Sequence, residues 1–70
     1  MNFFKFYIDT LLKLCHQAIK RNEIPISAII VDKKTKKIIS KSHNLTIANK
    51  DPLAHAEIIA IQKALKKQKI

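Results

Sequence analysis

The sequence contains no glycine, a single cysteine and no long apolar run. Because one cysteine cannot pair within the chain, a disulfide framework is excluded. Without glycine, each position that needs a positive φ must be filled by asparagine, by aspartate or by a strained residue. No apolar stretch approaches the roughly 20 residues that a membrane span needs, and the N-terminus does not have the pattern of a signal peptide. We therefore expect a cytoplasmic protein that does not enter a membrane.

Acidic residues are also scarce, with 5 of them against 14 basic residues and a formal net charge of +9. A surplus of this kind favours RNA or another polyanionic partner, because each phosphate that is neutralised releases counterions. The alternative is a surface of lysines that only interact with water, since Arg21 is the sole arginine and lysine lacks its bidentate fork. The 70 residues make at most one small domain with a marginal core.

Apolar residues at helical spacing predict an amphipathic helix over residues 4–22. Its apolar face is expected to carry Phe4, Ile8, Leu11, Leu12, Cys15, Ala18 and Ile19. At this position Cys15 is expected to be a buried thiol and neither a metal ligand nor a nucleophile. Residues 24–31, IPISAIIV, are nearly all apolar and rich in β-branched side chains, which predicts a strand buried on both faces.

A second strand and a second helix follow. The polar residues 32–37 predict a turn, and residues 37–43, KIISKSH, predict an antiparallel strand whose lysines and histidine suit a sheet edge. Residues 44–50 predict a loop. Asp51 and Pro52 then predict a helix start, because aspartate can accept a hydrogen bond from a first-turn amide and proline is tolerated at the first helical position. The apolar face of this helix is expected to carry Ala54, Ile58, Ile61 and Leu65, with Ala60 and Ala64 beside it.

The predicted order of helix, strand, strand and helix indicates an α/β protein. A strand that is buried on both faces and paired on one side needs a second neighbouring strand. No other segment of the sequence is suited to that role. We therefore expect residues 1–70 to be the N-terminal portion of one larger domain.

The segment DPLAHAE, residues 51–57, has His55 two positions before Glu57. A catalytic zinc site needs three protein ligands and an open position for water, and a neighbouring carboxylate can move the proton of that water. On a regular helix, residues i and i+2 diverge by about 200°, so these two side chains can share a site only where the helix starts. Taken alone, the triplet has the alternative explanation of a surface histidine near a chance glutamate.

Three segments in a fixed order are more specific than this triplet. NEIPISAIIV follows an amphipathic helix, the second strand ends in SHN, and DPLAHAEIIAI opens the next helix. Together they resemble the N-terminal half of the cytidine and deoxycytidylate deaminase superfamily, and most closely the bacterial tRNA adenosine deaminases. Zinc deaminases have an H-x-E segment followed by P-C-x-x-C, of which this sequence contains only the first. The resemblance implies a partial deaminase-type three-layer α/β/α fold.

The resemblance also implies roles for individual residues. His55 is expected to be a zinc ligand, and Glu57 is expected to be the catalytic proton shuttle. Asn44 is expected to hydrogen-bond the nucleoside, with the alternative that it is a turn residue in a left-handed conformation. The substrate pocket is also expected to be lined or supported by Ile26, Ala28 and Ala54.

The implied reaction is hydrolytic deamination, which in the most similar subfamily converts the wobble adenosine of a tRNA to inosine. Cytosine and guanine deaminases remain alternatives, because guanine deaminases have a similar D-P-x-A-H-A-E opening. The cofactor would be Zn²⁺, with one ligand present and two cysteine ligands missing from this chain.

The chain departs from the family pattern in ways that affect activity. Without the two cysteines we expect it to be inactive alone. One alternative is that the chain is half of a split enzyme and needs a complementary C-terminal half, or that it forms a homodimer. The other is that it is a non-catalytic basic remnant that binds RNA or another partner. Ser27 stands where the family commonly has glycine, so we expect strain at that position.

Overall fold

The computed structural model of the chain describes residues 3–68. Helix α1 spans Phe3–Lys20 and helix α2 spans Ala56–Gln68. Between them, strand β1 spans Ser27–Val31 and strand β2 spans Ile38–His43. The predicted order of helix, strand, strand and helix is therefore confirmed. Neither described helix is both long enough and apolar enough to cross a bilayer.

Helix α1 ends in a left-handed residue that is not glycine. Asn22 has φ 59°, and its amide donates to the carbonyl oxygen of Ile19 at 3.0 Å. The amide of Glu23 donates to the carbonyl oxygen of Ala18 at 2.9 Å. These two hydrogen bonds form a Schellman cap, which satisfies carbonyl groups that the helix end would otherwise leave unpaired. Asparagine is the residue that tolerates this conformation best after glycine.

The connection between the strands is also made without glycine. The carboxylate of Asp32 accepts hydrogen bonds from the amides of Lys34 at 2.8 Å and Thr35 at 3.1 Å. Lys36 takes the left-handed conformation, with φ 66°, and its amide donates to the carbonyl oxygen of Asp32 at 2.8 Å. The strands pair antiparallel, as predicted, with an irregularity between Ile30 and Val31.

Three hydroxyl groups show that the helices lie on opposite faces of the sheet. Residues that face each other across an antiparallel pair point to the same side. The Ser27 hydroxyl donates to the carbonyl oxygen of Leu11 in α1 at 2.9 Å. The hydroxyls of Ser40 and Ser42, which pair with Ile30 and Ala28 on the other face, donate to carbonyl oxygens of α2. The predicted three-layer α/β/α arrangement is therefore present.

The same hydrogen bond corrects the expectation of strain at Ser27. Positive φ values occur at Asn22, Lys36 and Lys50 among the described residues, and Ser27 is not one of them. Its hydroxyl instead joins β1 to α1 through the carbonyl oxygen of Leu11. A glycine at this position could not make that contact.

The buried faces of the helices differ from the predicted ones. In α1, Leu14 and Ala18 are buried, whereas Phe4 is 72% exposed and Leu12 is 54% exposed. In α2, the buried residues are the alanines Ala56 and Ala60, while the larger residues of the predicted face are exposed, namely Ile58, Ile61 and Leu65. Small residues bring α2 close enough for the serine hydroxyls of β2 to reach its carbonyl oxygens. Both helices consequently carry a second apolar face that nothing covers within residues 3–68.

The burial of the strands is also the reverse of the prediction. Every residue of β1 is only half-buried, so the expectation of a strand buried on both faces is wrong for this part of the chain. The sheet has two strands, and the outer side of β1 has no neighbour among the described residues. In β2, which we expected to be the exposed edge, Ser40 and Ser42 are buried because α2 packs over them, and His43 is buried on the opposite face, beside Arg21.

Candidate functional site

The candidate site lies where α2 begins, four residues later than the sequence predicted. The carboxylate of Asp51 accepts a hydrogen bond from the amide of Leu53 at 2.9 Å, and its carbonyl oxygen accepts one from Ala54 at 3.0 Å. Asp51 and Pro52 therefore form a turn and do not start the helix. The residue that precedes α2 is His55, whose carbonyl oxygen accepts the first helical hydrogen bond, from Ile59 at 3.0 Å.

This late start brings His55 and Glu57 together. His55 occupies the N-cap position, where the backbone is not helical, so the divergence of about 200° expected on a regular helix does not apply. The Nδ1 atom of His55 lies 4.0 Å from the Oε1 atom of Glu57. That distance is too long for a direct hydrogen bond, and it leaves room for both atoms to contact one small group between them. The side chains are 47% and 62% exposed, so a group between them is open to solvent.

Asn44 follows β2 and holds the first amide of α2. It is 1% exposed, and its Oδ1 atom accepts a hydrogen bond from the amide of Ala56 at 2.7 Å. Its backbone amide donates to the carbonyl oxygen of Ile26 at 3.0 Å. Asn44 does not have a positive φ, so the alternative of a left-handed turn residue is wrong. Its structural role is to cap a helix that is distant in the sequence.

One atom of the Asn44 side chain has no protein partner. The Nδ2 atom is buried and makes no hydrogen bond within residues 3–68. Its orientation is fixed, because the amide of Ala56 must face an acceptor and therefore the oxygen of the side chain. A buried donor without a partner costs about 1–3 kcal/mol. The Nδ2 atom is thus a donor whose partner is not found within residues 3–68.

Two further contacts fix the loop that carries Asn44. The amide of Leu45 donates to the carbonyl oxygen of Ala54 at 2.9 Å. The carboxylate of Glu23 is buried and accepts hydrogen bonds from the amides of Ile47 at 3.1 Å and Ala48 at 2.7 Å. Sequence reasoning missed Glu23, because its partners lie more than twenty residues away and no local pattern marks them. Its position directly after the end of a helix was the only available signal.

The remaining residues expected at the pocket lie at different depths. Ala54 is buried next to His55, and Ala28 is half-buried within β1. Ile26 is 43% exposed and meets Asn44 through its carbonyl oxygen. Two cavities lie beside β2. Neither of them is lined by these residues, by His55 or by Glu57.

The described residues do not form a zinc site on their own. Within residues 3–68 there is no group of three or more histidine, cysteine, aspartate or glutamate side chains that could hold a metal ion. Cys15 is engaged elsewhere, because its Sγ atom lies 3.3 Å from both the carbonyl oxygen of Pro25 and the hydroxyl of Ser27. His55 offers one exposed imidazole, whereas a catalytic zinc site takes three ligands from protein.

Comparison with known proteins gives a consistent family. The family model described as "Cytidine and deoxycytidylate deaminase zinc-binding region" matches residues 1–70. A tRNA-specific adenosine deaminase of Rickettsia bellii is 51% identical over 53 residues, which are 76% of this chain and 37% of the relative. A tRNA-specific adenosine deaminase of Aquifex aeolicus is 40% identical over 63 residues, which are 90% of this chain and 40% of the relative.

A solved structure has the same fold over most of the described chain. It comes from studies of A-to-I editing by tRNA:A34 deaminases at the wobble position of transfer RNA, and it superimposes with a TM-score of 0.81 at 29% identity. The match covers 93% of this chain and 46% of that one. The chain thus spans less than half the length of these relatives. On the match of the family model to all 70 residues, the chain belongs to the cytidine and deoxycytidylate deaminase family.

Proposed function

We propose that the chain is the N-terminal portion of a zinc-dependent hydrolytic deaminase that converts adenosine in tRNA to inosine. The observation that carries this proposal is the approach of His55 and Glu57 at the start of α2, with 4.0 Å between Nδ1 and Oε1. The names of the Rickettsia bellii and Aquifex aeolicus relatives support adenosine over cytosine or guanine as the base.

Glu57 has the position and the exposure of a proton shuttle. Glu57 is the second residue of α2, and its carboxylate faces the same space as the imidazole of His55. Hydrolytic deamination needs a group that takes a proton from water and delivers one to the departing amine. A zinc ion with His55 among its ligands would supply the activated water. Glu57 then transfers the proton, and it is not a ligand.

Asn44 serves to orient the base. Its Oδ1 atom is used by the amide of Ala56, which leaves the buried Nδ2 atom to donate a hydrogen bond to an acceptor on the nucleoside. Because the same side chain caps α2, the base and the catalytic residues are held by one rigid connection. This arrangement suits catalysis, which depends on fixed relative positions of the reacting groups.

The other zinc ligands and further strands come from polypeptide outside residues 3–68. We assign two cysteine thiolates and a neighbour for β1 to a complementary C-terminal segment. The exposed apolar faces of α1 and α2 and the unpaired side of β1 support this assignment. The chain alone would therefore hold no stoichiometric zinc and produce no inosine.

The test mixes the chain with the part of the Rickettsia bellii relative that the chain does not match. We expect the mixture to bind zinc, measured by elemental analysis, and to form inosine in tRNA. Glu57→Gln should retain the zinc and abolish inosine, whereas His55→Ala should lose both. His16→Ala, which removes an exposed histidine from α1, is the matched control and should change neither.

Three results would contradict the proposal. They are stoichiometric zinc in the chain alone, zinc binding that does not depend on His55, and inosine formation that survives Glu57→Gln. Deamination of free guanine or cytosine in place of adenosine would keep the reaction and change the substrate. No gain on mixing would indicate a chain that has lost its catalytic role.

A further inference from the structure

A groove runs along the outer edge of β2, on the side away from β1. Residues of α1 form one wall, residues of α2 form the other, and residues 38–41 of β2 form the floor. The cavity volume is about 850 Å³. A second cavity of about 250 Å³ continues it and shares Leu14, Gln17, Lys41 and Lys63 with it. We call the two together the β2 groove.

Among the described residues, the β2 groove is lined by cations and by no carboxylate. The chain has 14 basic residues, and six of them lie here, namely Lys13, Arg21, Lys41, Lys63, Lys66 and Lys67. Within residues 3–68, none of the acidic side chains lines either cavity. The positive charges of the groove are therefore not compensated locally, and their fields add in a concave space that faces solvent.

Two of these lysines are fixed by the strand itself. The Nζ atom of Lys63 donates to the carbonyl oxygen of Lys41 at 3.2 Å, and that of Lys67 donates to the carbonyl oxygen of Ile39 at 2.6 Å. Each ammonium group keeps two further donors for an anion. The ammonium groups of Lys13, Lys41 and Lys66 make no hydrogen bond that the structure records within residues 3–68.

The groove also offers an aromatic ring and an apolar floor. Phe6 is 45% exposed at its α1 wall, and Ile38 and Ile39 are half-buried at its base. From Phe6 to Arg21, directly after the end of α1, this wall extends over about 22 Å at about 1.5 Å per residue. That length accommodates several nucleotides of a single strand. Cations that follow a backbone, with an aromatic surface for bases, are the features that bind single-stranded nucleic acid.

One end of the groove is connected to the loop of the candidate site. Arg21 lies 3.3 Å from the Nε2 atom of the buried His43, and the Nδ1 atom of His43 lies 2.8 Å from the carbonyl oxygen of Asn44. A neutral ring with its hydrogen on Nδ1 fits both partners, because the carbonyl oxygen needs a donor and the guanidinium needs an acceptor. RNA in the groove would therefore pass close to the segment that carries Asn44.

We propose that the β2 groove is a binding site for the phosphate backbone of single-stranded RNA, separate from His55 and Glu57. The groove has both the uncompensated lysines that phosphates require and the exposed ring that a base requires. An acidic segment of a protein would use the lysines and leave Phe6 without a role. This site goes beyond the proposed deaminase activity and needs neither zinc nor Glu57.

The first test measures binding of fluorescein-labelled oligouridylate to the 70-residue chain by anisotropy over a series of KCl concentrations. The variant Lys13→Gln, Lys41→Gln, Lys66→Gln removes three charges from the groove and keeps the two lysines that are bonded to β2. The slope of log K against log salt is negative, and we expect it to become shallower by about 2. This change corresponds to about 0.7 for each phosphate that is no longer neutralised. The affinity at low salt should fall by about tenfold or more.

The matched control is Lys20→Gln, Lys33→Gln, Lys34→Gln, which removes the same charge from exposed residues outside both cavities. It should retain the slope of the unmodified chain. Equal losses in the two triple variants would overturn the proposal, because binding would then follow net charge alone. Circular dichroism on each variant checks that the fold is retained.

The second test concerns the contact with bases. Phe6→Ala should weaken oligouridylate binding by about tenfold and leave the salt slope unchanged, because stacking does not release counterions. Phe4→Ala is the control, since Phe4 is 72% exposed and lies outside the groove. If Phe6→Ala has no effect, the ring makes no contact with bases and the proposal of a single-stranded RNA site is wrong. If a polyglutamate peptide binds the groove and RNA does not, the occupant is an acidic protein and the proposal is also wrong.

The outcome is independent of the deaminase proposal. Glu57→Gln should bind oligouridylate as the unmodified chain does. A failure of RNA binding with active deamination would reject the groove alone. RNA binding in the groove without deamination in the complemented mixture would reject the catalytic proposal alone.

Discussion

Lys36 and Lys50 hold left-handed backbone conformations, with φ 66° and 51°. The left-handed conformation costs a residue with a Cβ atom roughly 1–2 kcal/mol. Glycine avoids this steric cost but loses about 0.5–1 kcal/mol through its larger conformational entropy in the unfolded chain. We expect Lys36→Gly to raise the free energy of unfolding by about 0.5–1 kcal/mol, measured by urea denaturation. Lys34→Gly is the control in the same loop, where φ is not positive, and it should lower the stability. A loss of stability in Lys36→Gly would contradict this view of the turn.

At the residue scale, the sequence was sufficient for side chains whose surroundings are local. The choice of His55 and Glu57 as a pair follows from one short segment, whereas the late helix start that brings them together was not predicted. The roles of Asn44 as the cap of α2 and of Glu23 as the anchor of the following loop could not be predicted, because both depend on amides that are 12 to 25 residues away. Only the folded backbone brings those amides to them.

At the element scale, the unpaired side of β1 gives an alternating exchange pattern. The amide of Asn44 donates to the carbonyl oxygen of Ile26, so the pairs Ala28 with Ser42 and Ile30 with Ser40 exchange hydrogen bonds, and Ile29 directs its amide outward. At a dilution that keeps the chain monomeric, we expect the amide of Ile29 to exchange with deuterium at nearly the rate of an unstructured peptide, while those of Ala28 and Ile30 are protected. Hydrogen exchange followed by NMR measures this.

The same experiment after mixing with the missing segment provides the contrast. If the segment supplies a strand beside β1, the amide of Ile29 should become protected, and those of Ala28 and Ile30 should change little. Protection of Ile29 in the dilute, monomeric chain would contradict the assignment of β1 as an open edge.

The elements could be predicted from the sequence, but their buried faces could not. Periodicity located both helices and both strands to within a few residues. It selected the large apolar residues of α2, such as Ile58 and Leu65, as the packed face, whereas the structure buries Ala56 and Ala60. Hydrophobicity measures only the free energy gained when a side chain is buried. The serine hydroxyls of β2 donate to carbonyl oxygens of α2, so the helix backbone must lie close to the strand, and only small residues such as alanine permit that approach.

At the scale of the whole molecule, the exposed apolar surface should cause self-association. Phe4 and Ile19 of α1, with Ile61 of α2, are each more than half exposed, and β1 leaves one row of backbone groups unpaired. We expect the chain alone to form dimers, observed by light scattering, and to return to a one-to-one complex when the missing segment is added. A monodisperse, cooperatively melting monomer would contradict the view that these surfaces require a partner.

The lysines of α2 limit how far such association can proceed. Lys63 and Lys67 occupy carbonyl oxygens on the outer edge of β2, so that edge cannot accept another strand without losing both hydrogen bonds. With one edge closed, two copies can join through β1 into a four-stranded sheet whose outer edges are both blocked. Polymerisation then stops at two copies, and an open-ended fibril has no site from which to grow.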